Sequence, residues 1–191
     1  MRRRVSIRSE QITAGEVFDT YEMIRDIIVR DAEVARSQFG GDSNLRDARL
    51  FGMTLGELDR HFEGLLDEVD EQTSLFIIAA AEAEIRVDFE NRVVRRKPKD
   101  SITRAFRDIA TDRGERVPLE DILDVWAEKV PSAKTDVSRF KGALVYRHWL
   151  AHGRYWVSKH GENYHPSGLS LIIESLLAKT SLGDVGTKRD S

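Results

Sequence analysis

The chain has 191 residues, of which 40% are hydrophobic and 33% charged, a composition that fits one globular domain rich in helix. Its net charge of −3 lacks the overall basic signature of many nucleic-acid-binding proteins, so a nucleic-acid role requires a local site. The absence of cysteine excludes disulfides, cysteine-ligated zinc and a cysteine nucleophile, and the absence of an apolar run of ~18 residues predicts a cytoplasmic protein without a membrane span.

Helical periodicity begins near the amino terminus. Apolar residues recur at helical spacing over residues 14–39, and the pair Gly40-Gly41 predicts where this first helix ends. Residues 41–52 are polar and rich in turn formers. They predict a loop, with a short helical turn near residues 45–50.

Two helical segments follow this loop. Thr54, with Glu57 three residues later, forms a capping-box pattern that predicts a second helix through Val69. Residues 74–96 are apolar almost all the way round, which is typical of a central helix packed on several sides. This segment is the strongest candidate for the core.

Four more helices are predicted in the second half of the chain. Their predicted starts are Asp100 or Ser101, Pro118, Thr135 or Asp136, and Pro166. The third of them covers about residues 135–156, and the last is an amphipathic helix over residues 166–179. No alternating strand pattern appears, so we expect one all-α domain over residues 1–191, with flexible ends at 1–12 and 181–191.

The helix predicted over residues 135–156 carries the stretch YRHWLAHGRYW, from Tyr146 to Trp156. His148 and His152 are four residues apart and lie on neighbouring turns of one side, whereas Arg147 lies about 140° around the helix from His152. Arg147 must therefore reach across with its long side chain, or meet a histidine of a second copy of the chain. The alternative is structural, because histidines and aromatic residues in an apolar stripe are usually packed in a core.

Arg147, followed directly by His148 and then by His152 and Gly153, resembles the signature motif of the HEPN superfamily. In this group of small all-α domains, an arginine precedes a histidine by four to six residues. The residue after the arginine is often Asn, Asp or His, the position that His148 occupies here. The resemblance covers the motif helix closely and the rest of the chain as a helical domain of suitable size. It implies a HEPN-like helical bundle with additional helices.

The resemblance also implies a function. Many members of the superfamily are metal-independent endoribonucleases that act as toxins or anti-phage effectors, and their active site is composed from both protomers of a homodimer. It therefore implies an RNA substrate, a homodimer, no cofactor, and products with a 2′,3′-cyclic phosphate and a 5′-hydroxyl. A cognate antitoxin or regulatory protein is a further partner that the toxin branch implies.

The motif side chains suit metal-free RNA cleavage. His152 suits the proton transfers, because imidazoles titrate near neutral pH, and Arg147 suits phosphate binding through paired donors that stay charged. His148 suits assistance to either step. Tyr155 is a candidate for stacking against a base, although packing is the more usual role of such a residue.

Carboxylates interrupt the central apolar helix. A buried Glu84 needs a partner, and Arg147 or an imidazole would serve, which makes Glu84 a candidate support for catalysis. The alternative is an ion pair within the helix, for which Glu82 and Arg86 have the right spacing.

The remaining patterns predict no metal site. His152, His160 and His165 have no common ligand spacing and no accompanying carboxylate. The basic residues 92–99 are interpreted as a solvated helix end, which in a ribonuclease would also guide the RNA backbone. The alternative to a ribonuclease is a catalytically inactive helical module that binds nucleotide, RNA or a protein partner with the same pocket, because both require the same fold.

Overall fold

The computed structural model describes residues 12–39, 48–114, 117–152 and 164–180. The α-helices are α1 (Ala14–Ser37), α2 (Leu55–Arg95), α3 (Ser101–Arg113), α4 (Leu119–Lys129), α5 (Lys134–Ala151) and α6 (Pro166–Lys179). Short 3₁₀ turns lie at Ala48–Leu50 and Pro131–Ala133. Since these described ranges contain no strand, the predicted all-α class is confirmed. The likeness to a HEPN bundle stays a prediction.

Capping boxes fix the starts of the two longest helices. At α2, the side chain of Thr54 accepts a hydrogen bond from the backbone N–H of Glu57 (3.3 Å). The Glu57 carboxylate in turn accepts from the backbone N–H of Thr54 (2.8 Å), so the predicted capping box is confirmed. An equivalent box of Thr13 and Glu16 begins α1 and was not predicted.

Helix α2 is longer than the sequence pattern predicts. The two segments predicted over 54–69 and 74–96 form one continuous helix, Leu55–Arg95, of 41 residues. No proline or glycine lies between Val69 and Ser74, so nothing forces the backbone to break there. This helix contacts each of the five other α-helices that the structure describes, which makes it the centre of the bundle.

Two clusters of buried apolar side chains stabilise the fold. The main core joins α2 to all the later helices, and its largest fully buried members are Ile77, Ile78, Ile85, Phe106, Ile122, Leu123, Trp126, Phe140, Leu169, Ile173 and Leu176. A separate second cluster lies between the later part of α1 and the first turns of α2, and consists of Ala32, Ala35, Leu50, Leu58 and Phe62.

The start of the motif helix differs from the prediction. The expectation that Thr135 or Asp136 caps this helix is wrong, because α5 begins at Lys134 after a 3₁₀ turn and has no side-chain cap. Asp136 is buried in the first turn, where its Oδ2 accepts from Ser175 Oγ (2.9 Å) and Lys179 Nζ (2.6 Å) of α6. The predicted end of this helix, near residue 156, lies outside the described residues.

The basic segment 92–99 contains one buried member. Arg92 is 2% exposed, and its guanidinium pairs with Asp88 (2.7 Å) and with Asp100 (2.8 Å), which also caps α3 as predicted. The interpretation of this residue as part of a solvated helix end is therefore wrong. Arg92 joins the end of α2 to α3.

Within the described helices, no stretch combines the length and the apolar character needed to cross a membrane.

Candidate functional site

The motif helix α5 has a buried face and an exposed face. Its buried residues are Asp136, Val137, Phe140, Ala143 and Tyr146. His148 and His152 are exposed on the other side, in the last turn of the helix and directly after it. Their exposure excludes the structural alternative, in which these histidines are packed in the core.

The two histidines form a pair of imidazoles. Their ring centroids are 4.1 Å apart and the rings are tilted by 51°. The i, i+4 spacing on α5 produces this contact, because it places both side chains on one side of the helix. An exposed pair of imidazoles of this kind can accept a proton at one ring and donate a proton from the other.

Arg147 points away from the imidazoles and toward α2. Its Nη1 forms an ion pair with Oε2 of Glu82, whose side chain is only 19% exposed. The other carboxylate oxygen of Glu82 accepts from Nε of Arg86 (3.3 Å), which is the predicted pair within the helix. Across the described part of the chain, no hydrogen bond or ion pair joins Arg147 to His148 or His152. One protomer therefore does not bring these three motif side chains into one cluster.

Glu84 has a different partner from the one predicted. Its carboxylate accepts a hydrogen bond from the backbone N–H of Ala14 (2.8 Å), at the first residue of α1, and burial raises the pKa of this carboxyl. The expectation that Arg147 or an imidazole pairs with Glu84 is wrong. Residues two apart on a helix point about 200° apart, so the sequence pattern did not show that Glu82 is the one that faces α5.

Comparisons with protein-family models, with curated proteins and with solved structures found no match. The resemblance to the HEPN superfamily therefore rests on the motif sequence, and the chemistry of the site is inferred from its side chains.

A second group of titratable side chains lies between α1, α2 and the start of α6. The hydroxyl of Tyr21 donates to Oδ1 of Asp70 (2.8 Å), and Nε2 of His165 lies 2.7 Å from Oδ2 of the same carboxylate. Burial and the bond to Asp70 raise the pKa of Tyr21 far above its ordinary value. The sequence pattern gave no signal for this group, because 95 positions separate Asp70 from His165.

An aromatic stack supports the motif helix. The ring of Tyr146 stacks on Trp149 (5.5 Å between centroids) and on Tyr164 (5.6 Å). The backbone oxygen of Tyr164 accepts from Ser74 Oγ (2.9 Å), and the Tyr164 hydroxyl lies close against Gly142 of α5. Trp149 therefore packs within the bundle, and Tyr164, two residues before α6, is held against α2 and α5.

Other predicted residues lie outside the described residues. Tyr155, the candidate for base stacking, is one of them, and so is His160. Among the residues that the structure does describe, no three His, Asp or Glu side chains are grouped so as to hold a metal ion.

Proposed function

We propose that this protein is a metal-independent endoribonuclease that cleaves RNA by attack of a 2′-hydroxyl on the neighbouring phosphate. The observation that carries the proposal is the exposed imidazole pair of His148 and His152 on the helix that also carries Arg147. The resemblance of this segment to the HEPN motif supports the same reaction.

Each motif side chain has a role in the proposed reaction. His152 accepts the proton of the 2′-hydroxyl as the 2′-oxygen bonds to phosphorus, and His148 donates a proton to the departing 5′-oxygen. Arg147 donates two hydrogen bonds to the phosphate oxygens and offsets the negative charge that develops on them. The products are a 2′,3′-cyclic phosphate and a 5′-hydroxyl.

We propose that the complete site is formed by two copies of the chain. Within one copy, Arg147 faces Glu82 whereas the imidazoles face outward from α5. A two-fold symmetric interface on the side of α5 that carries the imidazoles brings the arginine of one protomer toward the imidazoles of its partner. Such a homodimer fits a toxin or anti-phage effector that a cognate antitoxin or regulatory protein holds inactive.

Cleavage of labelled RNA in the presence of EDTA tests the proposal. His152→Ala should lower kcat/KM by at least about 10²-fold, since a positioned acid–base group contributes that much. Arg147→Lys keeps the charge but loses the planar fork, so a similarly large loss supports phosphate binding by paired donors. His61→Ala, which removes an imidazole from α2, is the matched control and should keep wild-type activity. Activity that EDTA abolishes and a divalent metal restores would contradict the metal-free mechanism.

A mixing experiment tests the composite site. Arg147→Ala and His152→Ala proteins should each be inactive alone, and their mixed dimers should each contain one intact site. An equal mixture then recovers up to about a quarter of the wild-type rate, because half of the dimers are mixed and each has one of two sites intact. No recovery, or a strict monomer by light scattering at micromolar concentration, would contradict a shared site.

The second candidate function is a non-catalytic module that binds RNA, nucleotide or a protein partner. The observation that favours it is the ion pair between Arg147 and Glu82, which occupies the guanidinium away from the imidazoles. Tight RNA binding without cleavage by the wild-type protein would support this candidate.

A further inference from the structure

One carboxylate on α2 binds two guanidiniums. Oε2 of Glu82 pairs with Nη1 of Arg147 from α5, and Oε1 of Glu82 accepts from Nε of Arg86 (3.3 Å), one turn further along α2. Nη1 of Arg86 also donates to the backbone oxygen of Val117 (3.4 Å), two residues before α4 begins. The Glu82 carboxylate therefore holds both guanidiniums, and the backbone carbonyl of Val117 holds that of Arg86 in addition.

The side chains of Arg147 and Arg86 are more exposed to solvent than the side chain of Glu82, which binds both. Glu82 is 19% exposed, whereas Arg147 is 38% exposed and Arg86 is 44% exposed. The group carries one negative and two positive charges, so it has a net charge of +1. The carboxylate is the least exposed member of the group, so the two arginine side chains are the more accessible to an approaching anion.

The spacing of the two guanidiniums suits a nucleic-acid strand. Each bonds one oxygen of the same carboxylate, which places the two groups within about 8 Å of each other. Phosphates follow one another along one strand of a duplex at about 3.4 Å of axial rise, so two cations within about 8 Å of each other are close enough to face neighbouring phosphates. Arg86 and Arg147 are thus able to contact two successive phosphates.

We propose that Arg86 binds the phosphate next to the one that Arg147 holds during cleavage, and that Glu82 orients both arginines. This inference rests on the proposed ribonuclease function and adds a second contact to the RNA backbone. Arg86 has no role in proton transfer, because a guanidinium stays protonated in proteins. Its contribution is to the affinity for RNA and to the register of the strand.

The salt dependence of RNA binding tests this inference. The probe is a short fluorescein-labelled 2′-O-methyl oligoribonucleotide, which lacks the attacking hydroxyl and stays intact, titrated with the full chain by fluorescence anisotropy. The slope of log Kd against log [KCl] counts the phosphates that the protein neutralises, at about 0.7 for each contact to a single strand. Arg86→Gln should reduce this slope by about 0.7 and weaken binding several-fold at low salt.

Two further variants make the test specific. Arg86→Lys keeps a charge at this position and should keep the wild-type slope. Arg60→Gln makes the same change in net charge on the same helix, about seven turns away, and should also keep the wild-type slope. If circular dichroism shows that Arg86→Gln does not fold, Arg86→Met takes its place, because methionine removes the charge and retains most of the length of the aliphatic stem.

The outcomes separate the inference from the function on which it rests. A slope for Arg86→Gln equal to that of Arg60→Gln would overturn the role of Arg86 and leave the ribonuclease proposal standing. An absence of salt-dependent binding by the wild-type protein would overturn both. With cleavable RNA, Arg86→Gln should raise KM with little change in kcat, as expected for a contact made equally to substrate and transition state.

Discussion

Gly142 and Gly64 offer one substitution, glycine to alanine, with opposite expected effects on stability. In the middle of a helix this change stabilises a protein by about 0.8–1.0 kcal/mol, because alanine reduces the conformational freedom of the unfolded chain. Its side chain is a single methyl group, so the only new atom to be accommodated is the Cβ. At Gly64 on α2, no atom beyond the neighbouring backbone of the helix itself lies within 4 Å of the position that the Cβ would take. We therefore expect Gly64→Ala to stabilise the protein by nearly this full amount.

The position of a Cβ at Gly142 is already occupied. It would overlap the hydroxyl of Tyr164 and lie 3.1 Å from Cζ of that ring. The ring stacks on Tyr146 and its backbone oxygen accepts from Ser74, so it does not move freely. Overpacking of this kind costs about 1–3 kcal/mol, which offsets or exceeds the gain in helix propensity and leaves a net loss of about 0–2 kcal/mol.

Urea unfolding followed by circular dichroism measures both variants. The free energies of unfolding of Gly64→Ala and Gly142→Ala should differ by about 1–3 kcal/mol, or by several degrees in Tm for a chain of this length. Tyr164→Phe removes the overlapping oxygen, so Gly142→Ala should be less damaging in that background. Equal stabilisation by the two alanines would refute the close contact between Tyr164 and α5.

Two further predictions concern buried charges, and both are read from urea unfolding. Arg92→Met leaves the buried Asp88 without its partner and should lower the free energy of unfolding by about 3–5 kcal/mol. Arg95→Met, at an exposed position, is the control and should change stability little. A loss under about 1 kcal/mol for Arg92→Met would contradict the pairing. Burial raises the pKa of Glu84 in the folded state, so the stability that this carboxyl contributes is present at low pH and is lost as the pH rises through the raised pKa. Glu84→Gln, which keeps an acceptor for Ala14, should therefore match the wild type below pH 4 and exceed its stability at pH 8, and the reverse order would contradict the burial effect.

Helix ends that depend on residues close by in the chain could be predicted from the sequence. The start of α1 at Ala14 and the bounds of α6, Pro166–Lys179, agree with the predicted positions. Capping and the periodicity of apolar residues depend on neighbours a few positions away, so the sequence pattern contains them. The continuity of α2 was missed because the polar residues between its two apolar segments resemble a break. One of them, Asp70, has its partners on other helices, Tyr21 on α1 and His165 before α6, and the spacing of residues along α2 does not reveal them.

The partners within the candidate site could not be predicted in the same way. Spacing on one helix correctly paired Glu82 with Arg86 and placed His148 beside His152. The contact from Glu82 to Arg147 depends on how α5 crosses α2, and the periodicity of each helix leaves that angle open.

The second cluster of buried residues, described above between α1 and α2, makes that part of the molecule locally less stable than the rest. Five residues, two of them alanine, bury far less apolar surface than the main core, and stability scales with the apolar surface buried. The later part of α1 and the first turns of α2 can therefore unfold locally at a lower free-energy cost than the rest of the bundle. Since α5 packs in the main core, the helix that carries Arg147 and the imidazole pair stays folded through such openings.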